Sequence, residues 1–241
     1  MKFDVFEYTN KGGRSYNEDS VGSKYDETKG IFIVADGLGG HSFGELASAC
    51  AAETFLSEWN GFSQNPEEQM QTLTETANRN ILAIQKEKNT VLKSTAAVLA
   101  VDSEKAVFAN TGDSRVYYFH KSCLHTVTAD HSVAYKKYKA GEITRDMIGT
   151  DEDQSRLLRT LGGEDRYQPD IYIIPCPLEA GDAFLLCSDG AWEYLRDEEI
   201  LVDLLKAENA QQWAELLLLR IIDRVNGEND NLTVLTVRIE G

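Results

Sequence analysis

The sequence predicts an α+β fold in which antiparallel strands form the core and helices cover them. Three observations carry that prediction. Short apolar runs rich in β-branched and aromatic residues recur along the chain, several of them joined by polar turns only a few residues long. Two longer stretches instead keep the three-four spacing of an amphipathic helix: Met70, Leu73, Ala77, Ile81 and Ile84, then Trp213, Leu217, Ile221 and Val225. No repeat, low-complexity tract or linker-like composition divides the 241 residues, so the chain reads as one domain over 1–241.

Taken in order, residues 3–9 alternate apolar and polar side chains as a strand does. Lys11-Gly12-Gly13-Arg14 is a turn, and Arg14-Ser15-Tyr16-Asn17-Glu18-Asp19 precedes a weaker strand. A polar hairpin connection over 25–30 leads into Ile31-Phe32-Ile33-Val34, an unbroken apolar run that reads as a strand buried on both faces. That strand is expected to end at Asp36, with Gly37, Gly39 and Gly40 letting the backbone turn sharply and pass close to whatever the carboxylate holds. A helix follows over 45–59, where Ala47, Ala49, Ala51 and Ala52 allow close approach to a sheet. Asn65-Pro66 opens a second helix, with proline at its favoured first position.

Strands over 96–101, 106–110, 116–119 and 124–128 are joined by Asp102-Ser103-Glu104, Thr111-Gly112-Asp113-Ser114 and His120-Lys121-Ser122, which predicts an antiparallel meander. The composition then turns polar, with a modest helix at 133–140 and an acidic stretch at 151–153. Without Gly/Ser or Pro enrichment this reads as an ordered surface flap at about 131–165 rather than a linker. Strands resume at 171–174 and 183–187. A helix runs over 197–206, another starts at Asn209 with Gln212 three residues on as in a capping box, and a strand over 232–239 closes the fold.

Composition excludes several functions. With 24 Lys+Arg against 40 Asp+Glu, a net charge of −16 argues against a nucleic-acid backbone or an anionic membrane as partner. Cys50, Cys123, Cys176 and Cys187 form no Cys-x-x-Cys pair, so they read as small buried hydrophobes rather than disulfides, zinc ligands or nucleophiles. The N-terminal residues lack an apolar signal core, and Arg220 interrupts the longest aliphatic cluster. The expectation is therefore no membrane span and a cytoplasmic location.

The chemistry lies in acidic residues at strand borders. Phe184-Leu185-Leu186-Cys187-Ser188-Asp189-Gly190 repeats the apolar-run-then-Asp-Gly pattern of Asp36, and a carboxylate at a buried strand end is costly unless paired or metal-bound. Asp113 lies between two strands, Asp230 just before the last, and Glu18 and Asp19 shortly after Arg14. Each alone reads as a turn residue, a solvated acid or a surface arginine. Together they make an all-oxygen set suited to Mg²⁺ or Mn²⁺ rather than zinc. Such a set can hold two ions about 4 Å apart for an in-line displacement at phosphorus. An arginine close by matches two oxygens of a phosphate dianion.

In that order and context the chain resembles the metal-dependent protein serine/threonine phosphatases of the protein phosphatase 2C type, especially the compact bacterial form. The matching blocks are Arg14-Ser-Tyr-Asn-Glu-Asp19, Ala35-Asp-Gly-Leu-Gly-Gly-His41, Ser94-Thr-Ala96, Gly112-Asp-Ser-Arg115, Asp130-His-Ser132, Gly181-Asp182, Cys187-Ser-Asp-Gly190 with Trp192, and Asn229-Asp-Asn-Leu-Thr233. The resemblance implies an αββα sandwich, two packed antiparallel sheets flanked by helices. It implies direct attack of metal-activated water on a phosphoserine or phosphothreonine, without a phosphoenzyme. By the same resemblance Asp36 bridges two Mn²⁺ or Mg²⁺ ions, the Gly37 carbonyl ligates one, and Asp189 and Asp230 hold the other. Glu18 matches a metal ligand of eukaryotic relatives, Asp19 orients metal-bound water, and Asp113 with Asp189 forms a weaker third-metal site. Arg14 binds the substrate phosphate. The implied partners are phosphorylated Ser/Thr proteins, including a cognate kinase or its substrates, with the chain acting as a monomer.

Leu38 stands where eukaryotic members carry a histidine proposed as general acid, and His41 reads as a residue ordering the turn. His131 reads as structural, His120 and His125 as surface residues flanking a hairpin, Asp182 as a turn residue, and Trp192 and Trp213 as packing. Two other readings share the fold: a catalytically silent domain that binds a phosphoprotein or kinase as a regulator, and a phosphatase dedicated to phosphoserine on a regulatory anti-sigma antagonist.

Overall fold

The computed structural model describes residues 1–39, 43–174 and 177–240, so the readings of His41 and Cys176 lie outside the described residues. Two antiparallel sheets stack face to face with helices on both outer faces. One sheet has the order β1 (Lys2–Asn10), β11 (Leu232–Glu240), β10 (Ala183–Cys187), β7 (Arg115–His120), β8 (Cys123–Val127). The other runs β2 (Asp19–Tyr25), β3 (Lys29–Gly39), β5 (Ala96–Asp102), β6 (Ala106–Thr111), β9 (Asp170–Ile174), with β4 (Leu92–Ser94) paired to the end of β3.

Alternation along the strands builds three apolar layers. In β3, Phe32 and Val34 point between the sheets, where they join Phe108, Tyr118, Phe184 and Leu235. Ile31, Ile33 and Ala35 point outward to α1 (Gly44–Glu58) and α2 (Pro66–Lys88). In β10, Phe184 and Leu186 face inward, while Leu185 and Cys187 meet α5 (Asp197–Lys206) and α6 (Ala210–Arg224). The unbroken apolar runs are thus strands covered on both faces.

The helices follow their spacing. Asn65 caps α2 by accepting from Glu68 N, and Met70, Leu73, Ala77 and Ile81 are buried along its inner face. In α1, Ala47, Ala51 and Ala52 are buried, but Ala49 faces outward. Asn209 caps α6 through Gln212 N at 2.8 Å, while the Gln212 side chain accepts from Glu208 N rather than closing on Asn209. α3 (Val133–Ala140) and a 3₁₀ turn (Arg145–Thr150) occupy the polar stretch. Its acidic residues are tied down by Lys137, which contacts Asp151 at 2.9 Å and Asp153 at 2.8 Å.

Three expectations need correction. The expected meander divides: β5 and β6 pair in one sheet and β7 and β8 in the other, so Thr111-Gly112-Asp113-Ser114 is a crossover between sheets. A short turn does not distinguish a hairpin from a strand that leaves its sheet. β3 does not end at Asp36 but continues to Gly39, pairing Gly37 with Ser94 of β4. Gly37 is needed for close approach, since a Cβ there would lie 2.1 Å from Gly44 O and 2.6 Å from Glu18 O. Finally, Cys123 is exposed and Cys50 only half-buried, leaving Cys187 as the one fully buried cysteine among the described residues.

Candidate active site

Antiparallel order brings the C-terminal ends of β3, β6 and β10 and the N-terminal ends of β2, β7 and β11 to one edge of the sandwich, where the acidic residues stand. A cleft of about 470 Å³ opens there, lined among others by Arg14, Glu18, Asp36, Gly37, Asp113, Asp189 and Asp230. Asp19 is buried beneath it, 8 % exposed.

The sheet itself sets Asp19 against Asp36: they are cross-strand partners in the β2–β3 register. Like charges directly opposite each other destabilise a sheet unless something positive lies between them. Ser188 Oγ donates to Asp19 Oδ2 at 2.8 Å, while Asp19 Oδ1 is buried with no hydrogen-bond partner among the described residues. Backbone bonds fix Asp36, its N–H donating to Thr95 Oγ1 and its carbonyl accepting from Thr95 N, both at 2.8 Å. Thr95 Oγ1 also meets Ser114 Oγ at 2.7 Å, linking Asp36 to the crossover that carries Asp113.

That crossover needs Gly112, whose φ of +103° lies in the region open to glycine. His131 braces it, with Nδ1 accepting from Gly112 N at 3.2 Å and its own N–H donating to Gly112 O at 2.8 Å, so His131 is structural. Trp192 Nε1 donates to Asp113 O at 2.9 Å, and the Trp192 ring lies 3.6 Å from the Arg115 guanidinium. Arg115 in turn holds Asp130 in a buried bidentate pair at 2.7 and 2.6 Å.

Asp189 does not sit in a turn. It opens a short helix, α4 (Asp189–Trp192), where Gly190 N donates to its Oδ1 at 2.7 Å and Gln154 Nε2 to its Oδ2 at 3.2 Å. Arg14, exposed, contacts Asp230 Oδ2 at 2.6 Å. Glu18 Oε1 accepts from Gly44 N, the first residue of α1, at 2.9 Å. Asn231 organises the approach: its Oδ1 accepts from Glu18 N at 2.7 Å and its Nδ2 donates to Lys11 O and Tyr16 O.

Buried like charges leave a mark. Burial first, then Asp189 and Asp230, push the Asp19 carboxyl up to about 7, against the pull of the Thr233 and Ser188 hydroxyls. Burial and then Asp19, Asp189, Asp113 and Asp230 hold Asp36 well above the carboxylate range. Asp113 is raised by burial and then by Asp189, and Asp189 by burial and then by Asp230. Glu193, at the end of α4, is raised to about 7 by burial first and Asp189 second. Arg14 is the sole basic side chain lining the cleft among the described residues.

This donor set fits hard divalent cations: every side-chain donor is oxygen, only Asp230 has a cationic partner, Arg14, and one buried oxygen lacks a hydrogen-bond partner among the described residues. Among the described residues no three ligating side chains yet close around a single point, so closure needs small side-chain movements. A larger cleft of about 680 Å³ lies across Trp192, but Arg115, Arg145 and Arg224 in it are paired to Asp130, Asp197 and Glu199. Unmatched charge, not size, marks the site.

The protein phosphatase 2C family model matches residues 10–216. The chain belongs to the protein phosphatase 2C family. It is 30 % identical over 232 residues to the serine/threonine phosphatase stp of Listeria welshimeri, covering 93 % of this chain and 90 % of that one. Among solved structures, the serine/threonine phosphatase Stp1 from Staphylococcus aureus is similar at a TM-score of 0.88 and 27 % identity, covering 100 % of this chain and 96 % of that one. The S. agalactiae serine/threonine phosphatase gives a TM-score of 0.86 at 27 % identity, over 99 % of this chain and 100 % of that one. The expected two-sheet sandwich is thus the family's fold.

Sequence reasoning gave no role to Thr95, Ser114, Ser188, Asn231 or Gln154. The first four stand in or beside the quoted motif blocks, which was their signal. Gln154 had none, because it reaches Asp189 from a segment distant in the chain.

Proposed function

We propose that this member of the protein phosphatase 2C family is a metal-dependent serine/threonine phosphoprotein phosphatase whose centre is the acidic cleft. The observation that carries the site is the mutually repelling set of buried Asp19 and Asp113 and half-buried Asp36 and Asp189, with Arg14 beside it. Two Mn²⁺ or Mg²⁺ ions would be held by Asp36, the Gly37 carbonyl, Asp189 and Asp230, with Glu18 and Asp19 supporting. Asp113 with Asp189 would offer a weaker third place. When bound, the cations would supply positive charge to offset the phosphate and to lower the pKa of an attacking water.

Arg14 leaves Asp230 for the incoming phosphate and grips two of its oxygens, turning the ester toward the carboxylate wall. Ser155 and Leu157 also line the cleft. Leu38 offers no proton to the departing alkoxide, so that proton comes from elsewhere in the cleft. Residues 1–241 act as one catalytic domain with a flap at about 131–165. Its substrates are phosphorylated Ser/Thr proteins, among them a cognate kinase or that kinase's targets. Among the described residues no helix is long and apolar enough to cross a membrane, and the reading is of a cytoplasmic monomer. The silent-regulator alternative is not favoured, because no carboxylate of the set is lost.

The test is hydrolysis of an aryl phosphate and a phosphothreonine peptide with Mn²⁺, with and without chelator. Turnover that needs the metal and disappears in Asp36→Asn is expected. Folded protein with no metal-dependent turnover on either substrate would overturn the reading.

A further inference from the structure

β2 is the outermost strand of its sheet, so one row of its peptide groups has no strand to bond. The register shows which row. Gly37 N donates to Glu18 O at 3.0 Å, where residues 18 and 37 continue the β2–β3 pairing. Bonding positions alternate along an antiparallel pair, so Ser20, Gly22 and Lys24 turn their peptide groups to β3 while Val21 and Ser23 turn theirs away from it. Lysines commonly guard such an edge. Here Lys24 is drawn off to the end of α1, its Nζ donating to Leu56 O at 3.1 Å and Trp59 O at 3.2 Å.

Beside that edge lies an open groove of about 520 Å³, lined by Ser20 and Val21 of β2 and by Ala49, Ala52, Glu53 and Leu56 of α1. Gly22 leaves the Leu56 side chain room to lie against the strand, since a Cβ there would stand 2.7 Å from Leu56 Cδ1. Ala49 lies between Glu45 and Glu53 on one exposed stripe of α1, so negative charge flanks the apolar notch.

Position decides what the groove serves. Glu18 lines the acidic cleft, and Ser20, two residues later, lines the groove. Two residues of strand span about 7 Å, so an extended chain leaving the cleft meets the groove within a few residues.

We propose, resting on the phosphatase reading, that the segment preceding the phosphorylated serine or threonine of a protein substrate adds to β2 as an antiparallel strand. Antiparallel pairs are the commoner kind, and β2 runs away from the cleft, so the added strand runs toward it and carries residues N-terminal to the phosphate. Main-chain bonds to Val21 and Ser23 hold the strand whatever its sequence, and alternate side chains supply selection. An apolar side chain about four residues before the phosphoresidue enters the notch at Ala49 and Leu56. A basic side chain two residues earlier, on the same face, meets Glu53. The net charge of −16 favours such a flank.

The experiment is steady-state kinetics of the full chain with Mn²⁺, on an aryl phosphate and on phosphothreonine peptides that differ only in the N-terminal flank. Replacing the apolar flank residue by aspartate should raise KM about 10- to 100-fold, and N-methylating the flank backbone about tenfold, with kcat little changed. Ala49→Lys fills the notch and should raise the peptide KM about tenfold. Glu53→Lys should remove the preference for a basic flank. Both variants should leave aryl phosphate turnover unchanged. A peptide KM indifferent to the flank and to N-methylation, with aryl phosphate turnover intact, would overturn this proposal alone. No metal-dependent aryl phosphate turnover by the parent would overturn the phosphatase reading and this proposal with it. Dimerisation in sedimentation that Ala49→Lys abolishes, with the peptide KM unchanged, would give the edge to a second copy of the chain and overturn the proposal as well.

Discussion

Two groups of charge meet at Trp192, whose ring lies over Arg115 and whose Nε1 donates to the Asp113 carbonyl. In one group Arg115 and Asp130 face each other in a bidentate pair, with Tyr117 Oη taking a further guanidinium hydrogen at 3.1 Å and the indole stacked on the plane. In the other group Asp19, Asp36, Asp113 and Asp189 are held together, and among their stated influences the one cation is Arg115, already paired with Asp130, acting on Asp113. The pair is fully buried, whereas Asp19 and Asp113 are buried and Asp36 and Asp189 half-buried at the cleft wall. The first group is complete within the chain and serves the fold. The second is complete only with something positive brought from outside, and the strain of keeping it is what points to function.

The largest expected effect tests the incomplete group. Asp36→Asn should lower kcat by on the order of 10³-fold, at the upper end of what removing one electrostatic contributor costs. The same change relieves like-charge repulsion, so thermal unfolding in chelator should show the variant more stable than the parent. A variant that is both inactive and less stable would make Asp36 part of the framework instead.

Next comes the complete group. Arg115→Met leaves Asp130 buried and unpaired and should destabilise the protein by about 3–5 kcal/mol in urea unfolding. A loss below about 1 kcal/mol, the range of an exposed pair, would erase the contrast. Arg14→Ala should reduce kcat/KM by about 10²-fold, with Arg14→Lys restoring only part, because a point charge does not reproduce the fork.

The same contrast has a pH signature. Asp19 and Glu193 are raised to about 7 in the folded chain, against about 3.9 and 4.3 when unfolded. Between those values the folded state binds more protons, so without metal the stability they contribute is full below about pH 4 and lost as pH rises through 7. Melting temperatures in chelator should fall across that window, and Mn²⁺ should flatten the slope. Smallest of all, Gln154→Ala removes one part-buried hydrogen bond of 3.2 Å and should change stability by about 0.5–1.5 kcal/mol, with a few-fold change in KM.

Local pattern and long-range pairing were legible to different degrees. The spacing of Met70, Leu73, Ala77 and Ile81 fixed α2, and Asn65-Pro66 fixed its start, because helices are decided by neighbours in the chain. Which strand joins which sheet is decided by partners far away, so the exit of β7 from the sheet of β6 was not readable from its turn. The acidic residues were legible as a set, since each stands at a strand border. Their mutual placement, such as Asp19 opposite Asp36, was not, because register depends on the whole β2–β3 pairing. The Arg115–Asp130 pair was likewise hidden, though both residues stand in blocks that drew attention.

The crossover at residues 111–114 has a mechanical consequence. Asp19 and Asp36 belong to one sheet, Asp189 and Asp230 flank strands of the other, and Asp113 rides on the link between them. The spacing of the acids is therefore gauged by whatever keeps the sheets apart. That spacer is aromatic: Phe108 packs against Phe184 at 5.9 Å, and Phe184 stacks on Tyr118 at 4.9 Å. Rings that never touch substrate thus act as the calipers of the cleft, and trimming one would detune every carboxylate at once while leaving each in its place along the chain.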